Sequence, residues 1–354
     1  MKNELQKLFP SIRTRKELLD TILSNPGLNN IFSRWSNRQQ NEFLDFCSGA
    51  KGVKILYDSF FKEVFNPEYS PERLNKLLSV IMGMKVTIIK VLPVDSTRMA
   101  DETSLVTMDI VVETDDGSII NVEIQKIGYL FPGERSACYS SDLLLRQYKR
   151  IRDFHSDFPT NLPSKFSYKE IKPVYTIVFF ENSPHYFKDF PNNYIHNFKQ
   201  CSDTGLELEL LQKYIFIPLD IFKKLRHNKP IDNELDAWLT FLSSDNVDDI
   251  MELIQKYPEF KSMYDTLYMM CQNIEGVMNM FSKELYELDK NTAELMVDEF
   301  SRTIEEQKML LTEKENIIAK KDDTITDQKA IIAEKDAIIS NLMAQIHELN
   351  NTNN

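Results

Sequence analysis

Leu105-Val-Thr-Met-Asp-Ile-Val-Val-Glu-Thr114, Asp115-Asp116-Gly117 and Ser118-Ile-Ile-Asn-Val-Glu-Ile-Gln-Lys126 follow one another without a break. Both arms are rich in β-branched residues, and the three-residue loop ends in a glycine suited to the left-handed position of a bulged hairpin turn. Strand side chains alternate between faces. Ile120, Val122 and Ile124 therefore share one face, and Asn121, Glu123 and Gln125 the other. In the first arm Val106, Met108, Ile110 and Val112 form the apolar face, with Asp109 opposite. If Thr114 pairs with Ser118 around the loop, Asp109 stands directly across from Glu123. Like charges facing each other on neighbouring strands destabilise a hairpin. A hard cation bridging the two carboxylates reverses that penalty, as when Mg²⁺ is held by one or two carboxylates. The alternative is a solvated hairpin face whose register is shifted by one residue.

Before the hairpin, residues 1–50 read as helical segments with polar breaks such as Ser24-Asn25-Pro26-Gly27. A helix bearing Ile55, Leu56, Phe60, Phe61, Val64 and Phe65 follows, and Ser70-Pro71-Glu72 opens another with proline at its first position. Val86 to Leu92 reads as a strand. Beyond the hairpin, Arg135 to Phe154 is amphipathic, with Tyr139, Leu143, Leu144, Tyr148 and Ile151 inward; Tyr139 and Tyr148 are assigned to core packing. Pro173 to Phe180 is a continuous apolar run and hence a buried strand, and Tyr214 to Pro218 is a shorter one. Residues 232–298 read as helical. This order predicts a mixed α/β (α+β) fold, a mixed central sheet flanked by helices.

Residues 301–349 differ. Leu311, Ile318, Ile325, Ile332, Ile339 and Ile346 recur every seven residues, while Lys321, Gln328 and Lys335 occupy the second seam position. That pattern predicts a long helix pairing weakly with a second copy as a coiled coil, a possible homodimer. Residues 350–354 read as a disordered tail.

Composition removes several classes. The 354 residues carry 42 basic and 54 acidic side chains, a net charge of −12, and only nine glycines. Glycine-rich phosphate loops are thereby disfavoured. Gly128 and Gly133 have P-loop spacing but are followed by Glu134-Arg135, which lack the side chains that hold phosphate and Mg²⁺. The sequence holds neither GxSxG nor HExxH. Cys47, Cys138, Cys201 and Cys271 are far apart and read as free thiols. No apolar run is long enough to span a membrane and the first residues lack a signal-peptide core, so a cytoplasmic protein is expected.

Met108-Asp109-Ile110 and Asn121-Val-Glu123-Ile-Gln125 resemble the PD-(D/E)XK nuclease superfamily, and more narrowly its putative transposases, the recombination-promoting nucleases. The resemblance runs from about Asp58 to Trp238 through Asp58-Ser-Phe-Phe-Lys62, Asp116-Gly117, Arg135-Ser-Ala-Cys-Tyr139 and the Lys172-Pro173-Val-Tyr-Thr-Ile strand. It implies a restriction-endonuclease-like core over residues 51–230, after an N-terminal extension (1–50) and before a helical region (231–300) and the terminal helix. It also implies a bacterial source and a DNA endonuclease dependent on Mg²⁺, for which Mn²⁺ substitutes. Residue by residue, Asp109 and Glu123 become the metal ligands, Gln125 takes the place of the superfamily's lysine, and Asp58 matches the acidic position of the first core helix. Lys62, four residues after Asp58, and Arg135 are candidates for the charge a lysine at 125 would supply. With −12 overall, DNA affinity must come from a local surface. The candidates are Arg146, Lys149, Arg150 and Arg152, with Lys165, Lys169 and Lys172 beyond. The rival reading is a DNA-binding or assembly protein that keeps the fold, cuts weakly and recruits partners through its terminal helix.

Overall fold

Capping chemistry written in the sequence starts the first helices. Asn3, Thr14 and Ser36 each accept the amide three residues on, while Gln6, Glu17 and Gln39 reach back to the cap amide. This reciprocal box satisfies donors that a helix leaves open at its start. The helices are α1 (Glu4–Leu8), α2 (Arg15–Ser24), α3 (Pro26–Arg34) and α4 (Asn37–Cys47), followed by α5 (Asp58–Val64) and α6 (Pro71–Met82). Pro71 begins α6 as predicted, and Gly83 ends it at φ 64°, a left-handed position suited to glycine.

The computed structural model describes residues 3–94, 108–128, 133–157 and 166–352. Val106, Lys165 and loop residues 129–132, used in the sequence reading, lie outside them. Strand β1 (Ile88–Val91) precedes the hairpin β2 (Ile110–Thr114) and β3 (Ile119–Ile127); α7 (Gly133–Asp157) then leads to β4 (Val174–Asn182), β5 (His196–Phe198) and β6 (Gln212–Pro218). The six strands form one sheet in the order β1-β2-β3-β4-β6-β5. β1, β2 and β3 are antiparallel, β3–β4 and β4–β6 are parallel, and β5 returns antiparallel along β6. The mixed sheet predicted from the element order is therefore present. A parallel neighbour needs a crossover, and α7 supplies it between β3 and β4.

Both faces of the sheet are covered. On one, Ile110, Val112, Ile120, Val122, Ile177, Phe179 and Ile217 join a core shared with α1 to α6 and with α8 (Leu219–Arg226), α9 (Glu234–Ser243), α10 (Val247–Lys256) and α11 (Phe260–Met270). On the other, Val111, Ile119, Val174, Val178 and Phe180 pack with Tyr139 and Leu143 of α7. The solvated hairpin face is thereby excluded. One residue departs from the alternation. Met108 is fully buried in the cluster of Val111 and Ile119, not with Ile110 and Val112, because the strand starts only at Ile110 and Asp109 is a bend. Tyr148 is only half-buried; it stacks on Tyr168 and meets Phe166 edge-on.

The chain forms two compact units, Met1–Thr292 and Ala293–Asn354. Helix α12 (Ile274–Thr352) begins in the first, where Ile274, Val277, Met278 and Phe281 enter the large core. Phe281 touches the rings of Trp35, Phe43, Phe46 and Tyr57, with centroids 5.0–6.0 Å away. In the second unit Leu311, Ile318, Ile325, Ile332, Ile339 and Ile346 are all exposed. The helix runs through Asn350 and Asn351 to Thr352, into the stretch read from sequence as a tail. Among the described residues no helix is long and apolar enough to cross a membrane.

Because Phe281 is fully buried among four aromatic rings, Phe281→Ala should lower stability to urea by about 3–5 kcal/mol. Leu206→Ala, at an exposed site, should change it by less than about 0.5 kcal/mol.

Candidate functional site

The hairpin register places the first two carboxylates. Ile110 pairs with Val122, Val111 with Asn121, Val112 with Ile120 and Glu113 with Ile119. The same step carried one residue further sets Asp109 across from Glu123. Gly117 closes the loop at φ 84°. Asp116 caps the turn, accepting the Ser118 amide at 3.0 Å and the Thr114 hydroxyl at 2.6 Å. Asp116 thus acts in the turn.

At the mouth of the hairpin the two acids interlock through the backbone. Asp109 Oδ2 accepts the Ile124 amide at 2.7 Å, while the Asp109 amide points to Glu123 Oε1 at 3.4 Å. Glu123 is 2% exposed. It has β4 on one side, where it pairs with Val178, and lies on the sheet face that α7 covers. Burial first, and the neighbouring Asp109 charge second, push the Glu123 carboxyl well above the ordinary carboxylate range. Arg135 opposes this without cancelling it. Its guanidinium donates to the Tyr139 hydroxyl at 2.7 and 2.9 Å. Burial also raises Asp109, against the pull of the Ile124 amide and Lys62.

Helix α5 brings the other pair. Lys62 Nζ lies 2.7 Å from Asp58 and 3.6 Å from Asp109, so one ammonium bridges the helix and the strand. Burial draws Lys62 down, but the two carboxylates outweigh it and hold the ammonium above its usual range. Asp58, Lys62, Asp109 and Glu123 are thus brought to one place. Gln125 follows on the Glu123 face, half-buried. Lys126 points to the opposite face, as expected, and is committed to an ion pair with Glu284.

Sequence reasoning missed two residues here. Glu284 lies far along the chain, where no local pattern could signal it. Asn121 is fully buried two residues before Glu123, and its side chain helps hold the Glu123 carboxyl down. An asparagine on the Glu123 side of a buried strand was the available signal.

The donors suit a hard cation. They are carboxylate oxygens only, and among the described residues no lysine or arginine makes an ion pair with Glu123. No described group of three or more His, Cys, Asp or Glu side chains converges as a closed metal cage. Two carboxylates with an open remainder are what Mg²⁺ uses when waters and phosphate oxygens complete its shell.

The basic cluster is engaged within the chain. Arg150 forms a two-pronged pair with Glu113 at 2.7 and 2.9 Å. Arg146 meets Asp142 at 2.6 Å and donates to the Pro93 carbonyl. Lys149, Lys169 and Lys172 are exposed, and the guanidinium of Arg152 lies over the Tyr148 ring.

A mixed sheet of this order, with an acid at the mouth of a hairpin and another on its central strand, defines a restriction-endonuclease-like PD-(D/E)XK fold. The model of the PD-(D/E)XK nuclease family transposases matches residues 55–295. The chain belongs to that family, and the match begins just before α5 and extends into α12. No curated protein and no solved structure matches.

The raised Glu123 carboxyl has a consequence for stability. A group that binds its proton more tightly in the folded state loses stability as pH rises from its ordinary value, 4.5, through its folded value. In EDTA, Glu123→Gln should melt several degrees above the parent at pH 8. The gap should close below the ordinary value, where the carboxyl is protonated in both states. Thermal melts across that range check it, and an equal gap at all pH values contradicts the assignment.

Proposed function

We propose that the protein is a metal-dependent DNA endonuclease of the recombination-promoting type, hydrolysing phosphodiester bonds in a bacterial cytoplasm. The observation that carries this reading is the meeting of Asp109, Glu123 and the Lys62–Asp58 pair at the mouth of the hairpin. Asp109 and Glu123 would hold Mg²⁺, or Mn²⁺ in its place. When bound, such an ion activates water, polarises the phosphate and stabilises the departing oxygen.

The chain's own groups supply the rest. Gln125, on the Glu123 face, hydrogen-bonds and orients without adding charge. Lys62 brings the cation that position 125 lacks, from a helix instead of the strand, and Asp58 at 2.7 Å fixes its ammonium. At 3.6 Å from Asp109, the Lys62 ammonium would offer positive charge to a phosphate lying beside the two acids. Arg135 contributes positive potential from the start of α7. DNA runs along α7, with Lys149 and Lys169 as exposed contacts and Arg146 and Arg150 exchanging their carboxylates for phosphate. Because these contacts are electrostatic, binding weakens steeply with salt.

The proposed division of labour follows the chain. Residues 51–230 are the nuclease core, supported by the extension 1–50 and the helical region 231–300, and residues 301–349 assemble two copies. The exposed isoleucine stripe cannot bury itself on a lone helix. A second copy would place a second site on the opposite DNA strand. The rival, a DNA-binding or assembly protein that keeps the fold and cuts weakly, is favoured by one observation, glutamine at position 125; Lys62 beside Asp109 weighs against it.

Supercoiled plasmid should be cut with Mg²⁺ or Mn²⁺ and left intact in EDTA. Asp109→Asn and Glu123→Gln should each abolish cutting with DNA binding equal or tighter, and wild-type rates in either would overturn the site. Lys62→Met should lower kcat by about 10²–10³-fold, the usual loss of one preorganised charge stabiliser, and Gln125→Lys should keep or raise activity.

Ending the chain after Arg302 should give a monomer by light scattering that still nicks plasmid but no longer linearises it. A full-length protein that is already monomeric at high micromolar concentration would contradict the assembly role.

A further inference from the structure

Helix α5 begins without help from its own neighbourhood. Its cap residue, Tyr57, offers no side-chain acceptor, although the first amides of any helix need one. The acceptor comes from 226 residues away: Glu284 Oε1 receives the Asp58 amide at 2.8 Å. The other carboxylate oxygen pairs with Lys126 of β3. The Lys126 ammonium also lies 4.7 Å from the centre of the Tyr57 ring. Glu284 is 8% exposed, and it is carried by the segment of α12 anchored through Val277, Met278 and Phe281.

One carboxylate therefore ties together three elements. α5 bears Asp58 and Lys62, β3 bears Glu123 and Gln125, and α12 holds the tie. Lys62 reaches Asp109 at 3.6 Å, so a shift of α5 along its axis by an ångström decides whether the ammonium stays within range. Burying a lysine and a glutamate against water is costly, and an apolar pair of similar volume is often as stable or more so. Stability alone does not account for this pair at this place.

We propose that Glu284 is a positioning residue for the nuclease site, setting the height of α5, and with it Asp58 and Lys62, over Asp109 by accepting the Asp58 amide. The proposal rests on the nuclease reading above for its kinetic consequence but not for its structural one. Lys126 is the counter-charge that lets the carboxylate sit there. The family's strand and hairpin supply the two facing acids, and α12 supplies the registration of the helix that serves them.

Two double variants separate the acceptor from the charges. Glu284→Gln with Lys126→Met removes both buried charges and keeps an oxygen for the Asp58 amide. Glu284→Met with Lys126→Met removes both charges and the acceptor, with apolar side chains of similar size in place. Plasmid cleavage and hydrogen exchange by mass spectrometry are measured on both full-length chains. The glutamine variant should stay within about threefold of wild type, while the methionine variant should lose at least about tenfold in kcat with KM for DNA unchanged, since small misplacements cost rate steeply. Exchange in the peptide covering 58–64 should quicken in the methionine variant alone, with the peptide covering 174–182 unchanged in both. Equal kinetics or equal exchange in the two variants overturns the proposal. If wild type cuts no DNA, the nuclease reading fails, and the exchange comparison still decides whether Glu284 holds α5.

Discussion

An acid at the bend that opens β2 and an acid on β3 are made to face each other by the register of the hairpin. The three-residue loop closed by Gly117 at φ 84° fixes the pairing of Ile110 with Val122, and a slip of one residue would send every side chain of the arm to the other face. The crossover helix and β4 then bury the second acid, so that Glu123 is 2% exposed beside Asp109. The repulsion is held in place by the packing of the whole sheet. Lys62, Arg135 and the Ile124 amide offset part of it, while burial first and the Asp109 charge second keep the Glu123 carboxyl raised. Two facing carboxyls, one of them buried, would suit a hard cation that neutralises them.

The hairpin was legible because everything that decides it is local. Strand alternation, a glycine at the third loop position and the summed register are properties of some twenty consecutive residues, and they placed Asp109 opposite Glu123 correctly. The α5 pair was half legible. Spacing of four put Lys62 on the Asp58 face, but its reach to Asp109, forty-seven residues later in sequence, depends on how α5 lies on the sheet. The burial of Asn121 and Glu123 could not be read at all from the arm that carries them, because it is imposed by α7 and β4. The same limit hid the pairing of Arg150 with Glu113, 37 residues apart, and that of Glu284 with Asp58 and Lys126. Met108 misled for another reason: alternation was extended past the point where the strand begins.

The division of charge across the site has a physical logic. A lysine at position 125 would sit on the Glu123 face of a strand already enclosed by α7. Placed on α5 at 40% exposure, the ammonium keeps contact with water, and its desolvation cost is smaller. The penalty of this arrangement is that the cation's position depends on a seven-residue helix, too short to hold itself. Glu284 meets that need from the base of α12, which makes the beginning of the longest helix part of the site's support.

Calorimetric titration of Mn²⁺ into the metal-free protein, in two buffers of different ionisation enthalpy, tests the central claim most directly. One ion should bind with release of protons from the raised carboxyls, tighter at higher pH, and the Asp109→Asn/Glu123→Gln double variant should bind none at the same site. Binding that releases no proton, or that survives unchanged in the double variant, would contradict the account.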